Sequence, residues 1–464
     1  METFQLWLDR ASAIVWGGPT VVVLLATGGY LTFVLRGVQL RTLPRALRIG
    51  LLERDEPGSE GDISHFQALM LALGGNVAVG NLVAVASALA LGGPGALLWL
   101  WLAGWLVMAT RYAEGFLGVY YREPDRRGRM AGGPMYYLSR GVGGTFGRVL
   151  GGLFAVLAVV AALGMGAAAP GLEAAHALRS GLAVPPLLTA GTLAGLAAVV
   201  VAGGVRGIGR TLGVLVPVLV AAYLVTALVV LALSWARLDD VLVAVVRGAF
   251  LPGAAAGGLV GATTREAVRW GMGHGVLSAG TGTGTGGIAA ASARTRTARP
   301  QALVAMTQTF IDTVVVSAVT GLALLATGVP EVLAAVPAAG PGQTGPGSFA
   351  VIFPAGLPGD LRGAIVSLGL ALFAFATILA WAHYGERSAE YLFGSRATAP
   401  FRALFVAAVF VGGAALQLGS PAGLSVVQDL GVVAGGAMAV PNLVGLLFLS
   451  GIVVRETTRS PGRR

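Results

Sequence analysis

The sequence GGNVAVGN at residues 74–81 interrupts one apolar segment, and GTGTGTGG at 280–287 interrupts another about two hundred residues later. Such glycine-rich runs break a helix and release backbone N–H and C=O groups, which are costly in lipid unless they line a cavity or bind a ligand. A matched pair of interrupted apolar segments is typical of a transporter site near the middle of the bilayer. The two stretches predict an all-α integral membrane protein with such a site.

The composition excludes a soluble protein. The chain has 464 residues, of which 55% are hydrophobic and 11% charged, with a mean hydropathy of +0.79. Its lack of cysteine excludes disulfides and thiol chemistry. A net charge of +10 could indicate nucleic acid, but the arginines lie in short loops between apolar runs, where orientation signals are found. The predicted partner is a lipid bilayer and not a nucleic acid.

A helix needs about 20 apolar residues to span a bilayer. About eleven segments of this chain are long enough. The N-terminal one is expected to remain uncleaved, because residues 1–10 are not basic and the apolar run 11–35 is longer than that of a signal peptide. The eleven segments cover residues 12–36, 66–91, 94–121, 146–169, 182–203, 211–235, 267–292, 301–328, 360–384, 400–418 and 431–454.

Arginine placement predicts the orientation. If the N-terminus lies outside, most arginines fall in the inner loops, at 36–54, 122–148, 206–210, 294–299, 387–402 and 455–464. This bias favours a cytoplasmic C-terminus in a cell (inner) membrane. Residues 37–62 and 122–145 are interpreted as basic inner loops that anchor the topology.

Ten helices remain after the first one and divide into two halves of five. An odd number of helices per half gives the halves opposite orientations, and the broken helix comes first in each. The predicted organisation is therefore an extra helix and basic loop (1–62), a first five-helix repeat (63–235), and a second, inverted five-helix repeat with a short basic tail (236–464).

Several long motifs resemble those of the alanine/glycine:cation symporters. They are ISHFQALMLALGGNVAVGNLVAVASALALGGPG at 63–95, MATRYAE at 108–114, YRE at 121–123, GGPMYY at 132–137, FIDT at 310–313 and FAFATILAWAHYGE at 373–386. The resemblance covers about residues 63–395. It implies a fold similar to that of the bacterial leucine transporter with one extra N-terminal helix, in agreement with the ten-plus-one count.

The chain departs from this family's pattern at both breaks. The family has threonine where this chain has Asn76, and asparagine and glutamate where it has Ala279 and Gly280. The family's adjacent Ser-Thr becomes Ala376-Thr377, which removes one hydroxyl. Losing a buried carboxylate at 280 is expected to alter coupling or substrate choice, because charges inside membranes are usually functional.

An amino acid zwitterion needs donors for its carboxylate and acceptors for its ammonium. Freed N–H groups at the start of a half-helix favour the carboxylate, while freed carbonyls accept the ammonium or a cation. Gly80 lets a substrate approach the backbone, and Asn81 offers an amide. Together with the resemblance this gives the predicted substrate contacts Asn76, Val79, Gly80, Asn81, Ser278, Ala279, Gly280, Gly282 and Trp381. The resemblance also implies a sodium site formed by carbonyls of Gly74, Val77 and Phe373 and the hydroxyl of Thr377.

Each feature also has a purely structural interpretation. Residues 281–287 could be a flexible linker, and the glycines near 74–80 could be helix contacts. Arg111 and Glu114 share a helix face and are interpreted as a structural pair. His274 is a candidate for proton coupling, although such a histidine is more commonly a hydrogen-bonding partner. For Asp312, a role in helix packing and a role in the transport path are equally favoured. Trp381 is assigned to packing before gating.

The sequence predicts a secondary transporter, not an enzyme, that carries alanine or glycine with Na⁺ by alternating access, with Na⁺ as the coupling ion and no cofactor. An alternative keeps the fold but changes the coupling to protons, exchange or uniport, or changes the small substrate. A non-transporting receptor or sensor is a further alternative. Oligomeric state is not predicted.

Overall fold

The computed structural model describes residues 2–53, 58–76, 79–251, 263–278, 280–327, 359–419 and 422–458. In these residues the protein is helical apart from one two-stranded hairpin, β1 (Glu123–Pro124) and β2 (Met130–Ala131). The helices are α1 (Glu2–Val15), α2 (Gly18–Val34), α3 (Val38–Leu51), α4 (His65–Gly74), α5 (Val79–Gly92), α6 (Ala96–Tyr120), α7 (Pro134–Tyr137), α8 (Gly144–Leu163), α9 (Ala169–Leu182), α10 (Pro186–Ala202), α11 (Gly204–Leu233), α12 (Leu238–Phe250), α13 (Thr264–Ser278), α14 (Thr285–Ala291), α15 (Ala298–Thr309), α16 (Ser317–Ala326), α17 (Gly359–Phe393), α18 (Thr398–Leu418), α19 (Ala422–Ala437) and α20 (Ala439–Thr458).

Eight helical stretches in the described residues are long and apolar enough to cross a membrane. They are Phe4–Val34, Ala96–Tyr120, Gly144–Leu182, Gly204–Leu233, Ala298–Ala326, Gly363–Phe393, Ser395–Leu418 and Leu424–Thr458. Two further apolar helices, α4 and α10, are shorter. The predicted all-α membrane class is confirmed, while the five-plus-five repeat and its boundaries at 62 and 235 stay predictions.

All eleven predicted segments lie on helices where the chain is described. The segments 66–91 and 267–292 are each divided into two short helices, as their glycine runs indicated. The prediction was wrong about length at two places. Residues 146–169 belong to a helix that continues to Leu182, and residues 360–384 to one that continues to Phe393.

Two of the long helices contain π-helical turns, which interrupt the regular hydrogen bonds without ending the helix. Gly164–Ala168 joins α8 to α9, and Phe310–Val316 joins α15 to α16. Such turns are rare and are often found at functional sites. Two residues predicted for the site are found at these turns. Asp312 lies within Phe310–Val316, and Trp381 packs against Gly166 of the other turn.

The outer surface of the bundle is apolar. On α11, Val214, Val218 and Val225 are 69%, 60% and 60% exposed, whereas Leu212 and Val216 are buried. A soluble protein rarely exposes an apolar face of this kind. The exposed face of α11 is therefore a lipid-facing surface, and its buried face packs on α4 and α17.

Glycines allow α13, the first half of the second broken helix, to lie directly against α6. A Cβ placed on Gly275 would be 2.6 Å from the carbonyl oxygen of Leu100 and 3.0 Å from the Cβ of Ala103. A Cβ on Gly273, half a turn away, would have its nearest neighbour, Val21 Cγ2, at 4.0 Å. The position of the second break thus depends on the absence of a side chain at 275.

We predict that Gly275→Ala lowers the thermal unfolding midpoint of the purified protein in detergent, because overpacking against backbone typically costs about 1–3 kcal/mol. Gly273→Ala is the matched control in the same helix. It is expected to be neutral or slightly stabilising, since alanine is favoured over glycine in a helix by about 1 kcal/mol. Equal midpoints for the two variants would contradict the close α6–α13 contact.

Candidate functional site

The first break exposes the last carbonyls of α4, and side chains bond to two of them. Tyr384 Oη donates to the Leu71 carbonyl at 3.1 Å, and Asn76 Nδ2 donates to the Ala72 carbonyl at 3.0 Å. A helix C-terminus leaves such carbonyls without intrahelical partners. The ring of Tyr384 also lies against Gly75, since a Cβ there would be 3.0 Å from Tyr384 Oη. α17 therefore closes over the end of α4.

A third carbonyl at this break belongs to a cluster of oxygen atoms. Thr377 Oγ1 lies 3.3 Å from the carbonyl oxygen of Gly74 and 3.2 Å from that of Phe373. The structure thus brings together three of the four residues predicted for the cation site. The fourth, Val77, lies outside the described residues. Ala376, which precedes Thr377 on α17, is buried and offers no hydroxyl.

The second break is built from alternating backbone conformations. Gly280, Gly282 and Gly284 have φ values of +54°, +90° and +87°, which side chains rarely tolerate. The threonines between them are both hydrogen-bonded: Thr283 Oγ1 donates to the Gly280 carbonyl at 2.7 Å, and Thr281 Oγ1 lies 3.2 Å from Thr309 Oγ1 of α15. The Gly-Thr repeat is therefore a specific structure that connects α13 to α14, and the alternative of a low-complexity linker is not supported.

One buried carboxylate, that of Glu114, accepts hydrogen bonds from two N–H groups of this break. Glu114 Oε1 accepts from Gly282 N at 2.9 Å, from Gly284 N at 3.1 Å and from Asn442 Nδ2 at 2.8 Å. Its other oxygen, Oε2, accepts from Arg111 Nη1 at 2.9 Å. Both charged side chains have no exposed surface. The predicted Arg111–Glu114 pair is present, and the carboxylate in addition holds the second break.

Asn442 on α20 completes this arrangement. Its Nδ2 also donates to the Gly282 carbonyl at 2.6 Å, and its Oδ1 accepts from the hydroxyl of Tyr137. Three parts of the chain that are distant in sequence thus meet at Gly282. We name the set Glu114, Arg111, Asn442 and Tyr137 the carboxylate node.

The two breaks touch through Asn76 and Gly280. A Cβ on Gly280 would lie 2.1 Å from Asn76 Oδ1. The amide of Asn76 therefore fills the space that a side chain at position 280 would need. The departures from the family pattern at these two positions are spatially linked, which their separation in sequence could not indicate.

Trp381 is buried and packs against the π-helical turn Gly164–Ala168. A Cβ on Gly166 would lie 2.3 Å from Trp381 Cβ, and the ring of Trp381 meets that of Tyr384 edge-on at 5.7 Å. His383 Nε2 is 3.1 Å from Ser292 Oγ. α17 continues for more than two turns beyond Tyr384 to Phe393, past the predicted end of this segment at residue 384.

The two candidate residues for coupling lie on α13 and in the π-helical turn between α15 and α16. His274 is half-buried in α13, with its ring stacked on Trp270 at 5.9 Å. Asp312 is fully buried in the π-helical turn Phe310–Val316. Their roles in coupling stay predictions.

Several predicted contacts cannot be placed. Val77 and Ala279 lie outside the described residues. Val79, Gly80 and Asn81 belong to the first turn of α5 and Ser278 to the last turn of α13, but their side chains are outside the described part.

The loop 122–145, predicted to anchor the topology, also fixes the chain that follows α14. Arg122 donates to the carbonyls of Ala291 and Ala293 at 3.1 and 2.6 Å and to those of Glu60 and Thr295 at 2.9 and 2.8 Å. A guanidinium is suited to this position because the last carbonyls of a helix carry partial negative charge. Arg122 thus ties the loop before α4 to the segment after α14.

A group of buried and half-buried charges lies beside this contact, on the loop 122–133 and the end of α17. Burial alone would raise the pKa of Asp125, but the amides of Arg129 and Arg127 and the charges of Arg129 and Arg387 outweigh it and lower the pKa to about 2. Glu386 accepts from Arg402 Nε at 2.8 Å. We name the set Asp125, Arg129, Glu386, Arg387, Glu390 and Arg402 the ion-pair cluster.

The carboxylate node was not identified from the sequence as part of the site. The available signals were Glu114 and Arg111 within an apolar span and Asn442 within the apolar segment 431–454, because polar groups inside a membrane are retained only where they have partners. Sequence spacing linked Glu114 to Arg111 alone. The link to Gly282 and Gly284 is tertiary.

A bundle of apolar helices around two facing helix breaks defines a multi-pass membrane transporter. The family model described as the sodium:alanine symporter family matches residues 1–460. This chain belongs to that family, and it is a transporter and not an enzyme.

Individual relatives span nearly the whole chain. The sodium/alanine symporter AgcS of Methanococcus maripaludis is 40% identical over 98% of this chain and 96% of that protein. The putative sodium/proton-dependent alanine carrier protein YrbD of Bacillus subtilis is 31% identical, covering 94% and 90%. The probable sodium/glutamine symporter GlnT of Bacillus subtilis is 28% identical, covering 96% and 88%. A crystal structure of the Eremococcus coleocola manganese transporter covers 88% of this chain and 100% of that one at 15% identity and a TM-score of 0.40, and no conclusion depends on it.

We predict that Gly280→Ala damages the protein through Asn76. Alanine at a left-handed φ costs about 1–2 kcal/mol by itself. Gly37→Ala is the control, because Gly37 has a left-handed conformation (φ +64°, ψ +44°) and the nearest atom to a new Cβ, Leu40 Cδ1, would lie 3.9 Å away. Gly280→Ala should lower the unfolding midpoint by more than Gly37→Ala, and Asn76→Ser combined with Gly280→Ala should recover most of the difference. A double variant as unstable as Gly280→Ala would contradict the contact.

Proposed function

We propose that the protein is a secondary active transporter that couples the entry of Na⁺ to the uptake of a small neutral amino acid, alanine or glycine, by alternating access. The observation that carries the proposal is the oxygen cluster at the first break, where Gly74 O, Phe373 O and Thr377 Oγ1 meet. Family membership supports the coupling to a cation. The similarity to AgcS, a sodium/alanine symporter, supports the choice of ion and substrate.

In this proposal Na⁺ binds between α17 and the end of α4. Carbonyl and hydroxyl oxygens suit a hard cation, and a transporter's broken helix supplies such carbonyls near the middle of the membrane. Each of the three oxygens belongs to a buried residue, so that the ion would lose its water on binding. Val77 is proposed as a further ligand.

The substrate binds between the two breaks, in contact with Asn76 and Gly280. Its carboxylate is assigned to the N–H groups at the start of α5, at Val79 and Gly80, because a helix N-terminus favours anions. The N–H groups of Gly282 and Gly284 are already bonded to Glu114. Carbonyls of the second break and the amide oxygen of Asn76 are then available to the ammonium, while Asn81, Ser278, Ala279 and Trp381 complete the site.

The membrane arrangement follows from the same proposal. The N-terminus lies outside, and the ion-pair cluster and the Arg122 contacts lie on the cytoplasmic side, where positive residues accumulate. Both sets of contacts join elements at one end of the bundle, so their separation would open the site towards the cytoplasm.

An altered coupling is the second candidate. Ala376 supplies no hydroxyl to the cation site, and the buried Asp312 and the half-buried His274 are protonatable groups within apolar helices. YrbD is described as sodium/proton-dependent. Proton coupling, exchange or uniport would keep the same substrate site.

The proposal is tested by uptake of labelled alanine and glycine into proteoliposomes under an inward sodium gradient, an inward proton gradient, or neither. We expect concentrative uptake with sodium, abolished when choline replaces it. Uptake driven by protons alone would replace the sodium proposal with the second candidate. Uptake that ignores both gradients would indicate exchange or uniport, and binding without flux would indicate a receptor.

We predict that Thr377→Ala raises the sodium concentration for half-maximal uptake about tenfold, because one lost ligand worth about 1.4 kcal/mol corresponds to that factor. Thr377→Ser keeps the hydroxyl and should resemble the wild type. Thr226→Ala is the matched control, since the Thr226 hydroxyl makes the same type of bond, to the Ala222 carbonyl at 2.9 Å, on the exposed surface of α11. Unchanged sodium dependence in Thr377→Ala would remove Thr377 from the cation site.

A further inference from the structure

Glu114 is a carboxylate in a backbone site of the kind that usually binds external anions. Successive N–H groups in alternating right- and left-handed conformations form an anion-binding concavity, or nest. Positive φ values recur at every second residue of this break, at Gly280, Gly282 and Gly284, and the N–H groups of Gly282 and Gly284 point to the same atom, Glu114 Oε1. The second break thus has its anion supplied by the chain itself.

The surroundings of Glu114 are shaped for its charge. A buried carboxylate is tolerated when it is both paired and hydrogen-bonded. Arg111 pairs with Oε2, and Asn442 adds a bond to Oε1. The glycine at 286 provides the space, because a Cβ there would lie 2.3 Å from Arg111 Nη1 and 3.0 Å from Glu114 Oε2.

The two carboxylate oxygens of Glu114 have different roles. Oε2 pairs with Arg111 and neutralises its charge, as any carboxylate paired with Arg111 within α6 could do. Oε1 holds the backbone of the second break, whose first glycine touches Asn76. Losing the bonds to Oε1 would leave two buried N–H groups without their acceptor, and the break would have to change shape to satisfy them.

We propose that Glu114 is a positioning residue of the transport site: its carboxylate fills the nest of the second break and holds Gly280 against Asn76. The proposal rests on the proposed function for its consequence in transport, but its structural core can be tested without transport. A small carboxylate such as formate has the same charge and the same acceptor oxygens as the Glu114 side chain. It can occupy the space left when that side chain is removed.

The absence of cysteine from the chain allows a single-cysteine reporter. Thr283→Cys places it in the second break, and Ser180→Cys, on an exposed position of α9, is the reporter control. Labelling by a small maleimide is measured on purified protein with Glu114, Glu114→Ala or Glu114→Gln. Asp429→Asn, which neutralises a half-buried carboxylate of α19 that accepts from Gln5 Nε2, controls for loss of a charge outside both breaks and the ion-pair cluster.

We expect Glu114→Ala to raise the labelling rate at Thr283→Cys about tenfold or more, because Gly282 N and Gly284 N lose their acceptor and the break must change shape to satisfy them. Formate should bring the rate back towards that of the wild type, whereas an equal concentration of chloride should have less effect. Glu114→Gln keeps an acceptor oxygen for the nest and should label close to the wild-type rate. Ser180→Cys should respond to none of these changes, and Asp429→Asn should leave the labelling of Thr283→Cys unaffected.

Equal labelling of Thr283→Cys with Glu114 and Glu114→Ala would overturn the proposal. So would fast labelling in Glu114→Gln that Arg111→Gln reverses, because the role of Glu114 would then be to neutralise Arg111. If Glu114→Ala does not fold, the comparison of Glu114→Gln with and without Arg111→Gln decides. Where sodium drives uptake, formate should also restore uptake to Glu114→Ala. A formate effect on labelling without sodium-driven uptake in the wild type would reject the proposed function and retain the positioning role.

Discussion

The requirement that backbone polar groups find partners inside a membrane governs this structure. A helix that stops in mid-membrane leaves carbonyls on one side of the break and N–H groups on the other, and lipid offers neither a donor nor an acceptor. At both breaks the protein meets this requirement with side chains from other helices. Tyr384 and Thr377 reach the first break from α17, and Glu114 and Asn442 reach the second from α6 and α20. The breaks consequently tie the bundle together, and each becomes sensitive to anything that competes for these partners.

The two breaks are satisfied by groups of opposite character. Hydroxyl and amide donors approach the carbonyls at the end of α4, and a carboxylate approaches the N–H groups between α13 and α14. A donor such as the Thr377 hydroxyl can turn and present its oxygen to a cation, so the first break can exchange an internal hydrogen bond for an ion. Glu114 has no such freedom, since both its oxygens are bonded. We infer that ligand exchange belongs to the first break and a fixed geometry to the second.

The sequence predicted the membrane fold and the places of both breaks, because hydropathy and glycine runs are local signals. The resemblance implied that Gly74, Phe373 and Thr377 belong to one cation site; their oxygens do lie together, and cation binding there stays a prediction. The sequence did not predict that Asn76 faces Gly280, or that Glu114 bonds to Gly282 and Gly284. These contacts join residues far apart in the chain, and no periodicity relates them. The helix ends at 182 and 393 were misjudged because the added turns are more polar, or follow a charged motif, while remaining buried against neighbouring helices.

The contact between Asn76 and Gly280 bears on how this chain differs within its family. In the family pattern that the sequence resembles, threonine stands at 76 and glutamate at 280. Asparagine has nearly the volume of threonine but reaches further from the backbone, and its amide occupies part of the space at Gly280, where a Cβ would lie 2.1 Å from Asn76 Oδ1. The two differences thus compensate only in part for the side chain lost at 280. They do not compensate in charge, since a neutral amide replaces a carboxylate. A substrate that carries its own positive charge would then meet an amide oxygen and backbone carbonyls instead of an anion. A zwitterion remains neutral as a whole and needs no counter-charge, which is why the substrate we propose is a small neutral amino acid and not a cationic one.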